Sequence, residues 1–470
     1  MSRHFKCLIN GDWVEGSNTP FEVKNPATFE TVATCANAVP AQLDEAVAAA
    51  QTAFKSWSVS SHEVRKGALH KIADEVEERC EEIAALIVAE QGKPFDLAMG
   101  EVQGGLAWLR YAASQDIPID IAEETETKRI EIHHKPLGVI GSITPWNWPF
   151  MIAIWHMIPA IRAGNTVINK PSGLTPLSTI TLVEIMNNHL PKGVINVITG
   201  KQGIGSGITS HLGINKIVFT GSTPTGQSVM RNAADNLKRL TLELGGNDAA
   251  IVLQGTDVSK VAPAIFGASF LNMGQTCGAI KRLYVHESIY DDMCAALTDI
   301  ANDQVVGNGM DKGVNFGPVQ NEDQLTLVSD LVEDAKKRGA TILTGGQRRD
   351  GVGYFYPPTL VADIDNDAPL VQEEQFGPAL PIVKFSNVDD VIDMANGVEV
   401  GLDGSIWGPD TEEATALASR LECGTSFVNT HAQIQPNIPM GGCKMSGFGV
   451  EFGEEGLLEF TSLQVMHINK

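Results

Sequence analysis

Short apolar runs separated by helical stretches constrain this chain more than any other feature. Leu137-Gly-Val-Ile-Gly-Ser-Ile reads as a buried strand, followed by Thr166-Val-Ile-Asn, Val194-Ile-Asn-Val-Ile and Ile217-Val-Phe-Thr. Helical patterns lie between them, as over residues 177–190. Strands joined through helices run parallel, and right-handed crossovers wind them into a sheet covered on both faces. The alternation restarts after Gly246: residues 248–253 and 282–286 are strand-like, whereas 258–270, 288–304 and 323–338 are helical. The expected fold class is therefore α/β with two doubly wound parallel sheets. Upstream, Leu43, Ala46, Val47, Ala50, Phe54 and Trp57 recur at helical spacing. Leu69, Ile72, Val76, Ile83 and Ile87 extend a second pattern over residues 65–88. The first hundred residues are thus expected to be mostly helical. Residues 127–136 alternate like a strand, and the strand-like tail 458–468 is expected to pair with them.

The chain's 470 residues exceed what one hydrophobic core organises, and 43% hydrophobic with 19% charged residues is a globular balance. A net charge of −23 repels nucleic acid and anionic lipid, so neither is an expected partner. The seven cysteines include no C-x-x-C pair. A disulfide framework or a zinc site is not expected, no metal is invoked, and a reducing, cytoplasmic setting is. The first residues lack the apolar stretch of a secretory signal, and no apolar run reaches membrane-spanning length.

Four segments carry chemistry. Phe219-Thr-Gly-Ser-Thr-Pro-Thr-Gly226 follows a strand and opens a helix, where glycines let backbone N–H groups approach a phosphate. The G-x-G-x-x-G fingerprint is absent, and Gln227 stands where a P-loop would have lysine, so an ordinary turn reads the same way. Leu242-Glu-Leu-Gly-Gly246 puts a carboxylate in an apolar run, where desolvation raises its pKa toward that of a general base; capping by backbone N–H groups is the plainer alternative. Phe270-Leu-Asn-Met-Gly-Gln-Thr-Cys277 ends a helical segment at a glycine break, which exposes a thiol among polar neighbours, although a lone cysteine is more often a core residue. Thr144-Pro-Trp-Asn-Trp-Pro149 fixes Asn147 in a rigid loop, suited to donate to an oxyanion or merely to its own turn.

Together these motifs, with Glu374-Gln-Phe-Gly-Pro378 and Pro439-Met-Gly-Gly-Cys-Lys-Met-Ser-Gly-Phe-Gly449, resemble the aldehyde dehydrogenase superfamily along essentially the whole chain. The stretches around Glu243 and Cys277 resemble a bacterial subgroup of general aldehyde dehydrogenases. The resemblance implies Cys277 as nucleophile, Glu243 as base and Asn147 as oxyanion donor with the Cys277 N–H. It implies Lys170 at an adenosine ribose, Gly221, Ser222 and Gly226 at a pyrophosphate, Glu374 and Phe376 at the nicotinamide ribose, and Trp146 beneath the nicotinamide. Trp148, Ile152, Trp155, Thr276, Gly278, His431 and Met440 are implied as the substrate tunnel. These are mostly apolar or small, so a medium- or long-chain aliphatic aldehyde is expected. For Trp148 and Trp155 plain core packing is the alternative, and His431 is expected to be structural.

Two departures stand out. Gly173 occupies the place of a glutamate that often binds the ribose diol in NAD-preferring relatives, so NAD is expected and NADP is not barred. Met440 replaces the usual Phe, giving a more adaptable tunnel wall. The resemblance also implies a cofactor domain from 1–116 and 137–244, a catalytic domain from 245–446, and a small β oligomerisation arm from 117–136 and 447–470. Such an arm suits a dimer or tetramer. Two other activities compete. A cofactor-independent thiol hydrolase would need a histidine partner that no motif nominates. A CoA-acylating semialdehyde dehydrogenase would tend to lack a glutamate at 243. A catalytically silent protein on the same fold is disfavoured by the intact Cys, Glu and Asn.

Overall fold

The strands read from the sequence lie side by side in the computed structural model, which describes residues 3–201 and 203–470. Strands Arg239–Glu243, Lys216–Thr220, Val139–Ile143, Thr166–Lys170 and Ile195–Val197 form the parallel centre of an eight-stranded sheet. Antiparallel Gly447–Phe448 closes one edge; Cys7–Ile9 and Asp12–Val14 close the other. Successive side chains point to opposite faces, and both faces are buried: Ile140, Val167 and Val218 enter one core, Val139, Ile168 and Ile217 the other. This is why the strands read as unbroken apolar runs.

A seven-stranded sheet holds Asp248–Val252 and Ile280–His286 at its centre, flanked by Ala379–Phe385 and Thr359–Ala362 on one side and Asp403–Trp407 and Thr425–Val428 on the other. These six run parallel, with Thr341–Thr344 antiparallel at one edge. It too is buried on both faces, Ala249 and Ile251 on one, Ala250 and Val252 on the other. The third sheet is antiparallel: Thr461–Asn469 pairs with Lys128–Pro136 over their whole length, and Ile119–Glu124 lies outside.

One expectation is sharpened and two are corrected. Helices do take up most of the first hundred residues, but they begin only at Pro40, because five strands occupy residues 3–37. Three of these strands have only three residues, too few to show a period, and Cys7–Ile9 joins the large sheet through a remote partner, Leu8 opposite Val197. The continuous pattern over 65–88 is two helices, His62–Glu78 and Cys80–Gln91, broken at Arg79 with ψ at 14°. Residues 447–448 pair with Arg239–Glu243, so that part of the segment expected for the arm closes the eight-stranded sheet instead. Among the described residues no helix is long and apolar enough to cross a membrane.

Candidate active site

Three functional segments leave neighbouring parallel strands at their carboxyl ends. Ile143 leads to the loop of Asn147, Thr220 to Gly221 and Ser222, and Glu243 ends its own strand in register with Thr220. Ligands of open α/β sheets bind at such ends. Ser222 is followed by helix Thr223–Ala233, whose unpaired N–H groups and dipole favour an anion.

Cys277 arrives from the other sheet, just before strand Ile280–His286. Helix Val258–Phe270 stops at a turn in which Asn272 and Met273 both take left-handed backbone, φ 52° and 56°. Gly274 continues at φ 73°, and a Cβ there would stand 2.3 Å from the Gly377 carbonyl oxygen. Two consecutive non-glycine residues in this region cost about 1–3 kcal/mol each. Hydrogen bonds hold the turn: the Asn272 side chain donates to the Asn147 carbonyl at 2.9 Å and to that of Gln275 at 3.3 Å.

Cys277 lines two cavities. One is a cleft of about 750 Å³ between Trp146, Asn147, Gly221, Ser222, Glu374 and Phe376. The other, of about 880 Å³, is lined by Trp148, Met151, Ile152, Trp155, Thr276, Gly278, Ile434 and Met440. Burial pushes the Cys277 thiol up to about 12, with Lys281 opposing and Asp403, Asp248 and Glu374 reinforcing that rise. The resting thiol is therefore protonated.

Asn147 is buried and its side-chain amide donates to the Gln275 carbonyl at 3.0 Å. Trp148 donates its indole N–H to Thr276 Oγ1 at 3.0 Å, and Trp146 meets Phe376 edge to face at 5.4 Å. Glu243 is buried with Oε1 lacking a hydrogen-bond partner. Burial first, then the charges of Glu451 and Asp403, hold its pKa well above the ordinary carboxylate range. Glu374 accepts from the Gly246 N–H at 3.3 Å, and burial pushes its pKa up to about 7. Gly245 makes room for that carboxylate: a Cβ there would lie 2.2 Å from Glu374 Oε2.

The remaining candidates are more scattered. Glu243 ends its strand behind Leu244 and Gly245, which line the cleft. Lys170 ends strand Thr166–Lys170, and burial lowers its pKa. Gly226 lies against Leu244, where a Cβ would stand 2.5 Å from the leucine side chain, so its smallness serves helix-to-strand packing. His431 is buried on Ser405 Oγ at 3.0 Å and stays neutral, burial pushing it down to about 4; its neighbours Ala432 and Ile434 line the apolar cavity. Several residues escaped the sequence reading. Leu97, Gly100 and Trp108 of helix Phe95–Ser114 line the apolar cavity, and Lys93, Glu101, Lys281, Asp403 and Glu451 surround the site as buried charges. Each is a single ordinary residue without a motif; only a charge inside an apolar stretch, as at Glu101, could have drawn notice.

Cys277 thus lines a cleft beside the Gly221–Ser222 turn and a second, apolar cavity, while the buried Glu243 ends a neighbouring strand. The family model described as "Aldehyde dehydrogenase family" matches residues 13–466. The chain belongs to the aldehyde dehydrogenase family and is an NAD(P)-dependent enzyme of that class. It is similar to the aldehyde dehydrogenase LUC3 of Fusarium sp, 38% identical over 468 residues and 99% of each chain. Among solved structures it resembles an NAD+ complex of an aldehyde dehydrogenase from Bacillus cereus, TM-score 0.97 at 34% identity, covering 99% of this chain and 97% of that one. It equally resembles an NADP-dependent enzyme of E. coli, TM-score 0.97 at 32% identity, covering 100% and 98%.

Proposed function

We propose that Cys277 captures an apolar aldehyde as a thiohemiacetal, which is oxidised to a thioester and hydrolysed to the carboxylic acid. The observation that carries this reading is that Cys277 lines both of two dissimilar cavities. The cleft suits a dinucleotide. Ser222 and the start of its helix face an anion, and Glu374 Oε1 has a backbone donor while the carboxylate remains free to accept from a ribose diol. A bound NAD+ or NADP+ supplies there the acceptor for hydride leaving the carbonyl carbon.

The residues divide the remaining work. The thiol proton passes to Glu243 as sulfur attacks the carbonyl carbon, because a thiol pushed up to about 12 needs a base. Asn147 Nδ2 and the Cys277 N–H stabilise the oxyanion, each donor contributing about 3 kcal/mol. Glu243 releases that proton to solvent and, as carboxylate again, takes one from the water that attacks the thioester; the acid leaves and the Cys277 thiolate is reprotonated. The presence of Glu243 favours hydrolysis over transfer to CoA. The wall of the second cavity is mostly hydrocarbon, and its charged residues, Glu101 and Asp403, are acidic rather than cationic, which favours a medium- or long-chain aliphatic aldehyde over one with a second carboxylate.

A Cβ at Gly173 would meet only the Phe21 ring at 3.9 Å, and Lys201, whose ammonium lies 5.5 Å from the centre of that ring, lines the same cavity, so both dinucleotides are admitted. Self-association to a dimer or tetramer through the antiparallel arm completes the reading. Strand Ile119–Glu124 is exposed along its whole length, and Ile119, Ile121, Leu463 and Val465 are exposed with it. An aldehyde panel from propanal to dodecanal with NAD+ and NADP+, read by reduced-nicotinamide absorbance, tests the function. Rates rising with chain length are expected; a preference for succinic semialdehyde, or product formed only with CoA, would overturn it.

A further inference from the structure

Beneath the Asn147 loop lies an ion pair that the chemistry above does not use. Lys93 and Glu101 are both fully buried, with Lys93 Nζ 2.6 Å from Glu101 Oε2. The same ammonium donates to the Asn147 carbonyl at 2.9 Å and sits 3.6 Å from the centre of the Trp148 ring. The other carboxylate oxygen of Glu101 accepts from the N–H groups of Phe150, at 3.0 Å, and Met151, at 3.2 Å. These amides open helix Pro149–Arg162, whose N-cap residue Trp148 provides no side-chain cap. One pair thus fastens the loop on both sides of Trp148, at the carbonyl before it and the amides after it.

A buried ion pair is a poor source of stability, because desolvation cancels most of its attraction. What it supplies here is placement. An oxyanion donor works within a few tenths of an ångström, and a displacement of about 1 Å costs on the order of 100-fold in rate. We propose that Lys93 and Glu101 are positioning residues that hold Asn147 in register with the adduct on Cys277. This rests on the reading of Asn147 as the oxyanion donor.

A double-mutant cycle on the full-length enzyme separates the two ideas, with octanal and NAD+ or, where octanal is slower, the panel's fastest aldehyde. Lys93→Met should lower kcat about 10–100-fold with little change in either KM, and Lys93→Arg should recover part of the loss. In an Asn147→Ala background Lys93→Met should cost no more than about 2-fold, since the group it positions is gone. Lys93→Met/Glu101→Gln leaves no unpaired buried charge and keeps an acceptor for the helix amides. This paired variant keeps the test open should the single one fail to fold, and it should show the same selective loss. Additive losses in the cycle, or wild-type kcat in the paired variant, would overturn the proposal. Wild-type kcat in Asn147→Ala alone would instead remove the oxyanion-donor reading on which it stands.

Discussion

The two cavities that share Cys277 differ in what builds them. The cleft sets the Gly221–Ser222 turn, Gly245 and the Glu374 carboxylate among apolar surfaces from Pro145, Trp146, Leu244, Leu327 and Phe376. The other cavity is walled by side chains from distant elements, Trp148 at the cap of one helix with Met151, Ile152 and Trp155 on it, Trp108 on another, and Ile434 and Met440 on a late loop. Backbone recognition requires particular residue types at fixed spacing. Apolar lining requires only hydrophobic bulk, so it tolerates exchange and tunes the substrate.

Cys277 is the one residue that belongs to both sides, and its loss should have the largest effect. Cys277→Ala should lower turnover on the order of 10⁴-fold or more, while dinucleotide affinity, measured by fluorescence titration, stays unchanged. Comparable weakening of dinucleotide binding would mean that the cleft is not independent of the thiol.

Glu243 should come next. Glu243→Gln should cut kcat about 10²–10⁴-fold, the range for losing a general base. The sign of the pH dependence follows from its environment. Burial and the charges of Glu451 and Asp403 hold the carboxyl protonated to a higher pH than usual, so the base form accumulates, and kcat rises, as pH increases. The glutamine variant should lose that ascending limb. An unaltered profile would assign the limb to another group, Glu451 first, since burial pushes it up to about 8.

The contrast between the cavities also decides what the sequence could disclose. Strands buried on both faces announced themselves as apolar runs, and Glu243, Cys277 and the Gly221 turn were marked by unusual residues in such runs or at their ends. The three-residue strand Cys7–Ile9 was silent, since it is too short to show a period and its place in the large sheet depends on Val197, nearly two hundred positions away. Lys93 and Glu101 were silent for a related reason: each is an ordinary charge, and only the fold places them 2.6 Å apart under Asn147. His431 was grouped with the tunnel by resemblance, yet its ring is taken up by Ser405 while its neighbours face the cavity.

A change confined to the cleft should leave the aldehyde side alone. Glu374→Gln keeps the shape but removes a charged acceptor, a loss of about 1.5–3 kcal/mol or roughly 10–100-fold in the KM for NAD+. The relative rates of propanal and dodecanal should not move. A shift in chain-length preference would show that the two cavities are energetically coupled through Cys277.

The mildest test lies on the opposite wall. Met440 lines the apolar cavity, and its backbone is pinned by reciprocal hydrogen bonds with Glu451, at 2.9 and 2.8 Å. Shortening the side chain therefore removes contacts without releasing the loop. Met440→Ala should raise the KM for octanal about 10-fold, within the range for lost apolar contacts in a pocket. Propanal, too short to depend on that wall, should be affected less, and the KM for NAD+ not at all. An equal loss for both aldehydes would place Met440 outside the path of the substrate chain and return the question of chain length to Trp148 and Trp155.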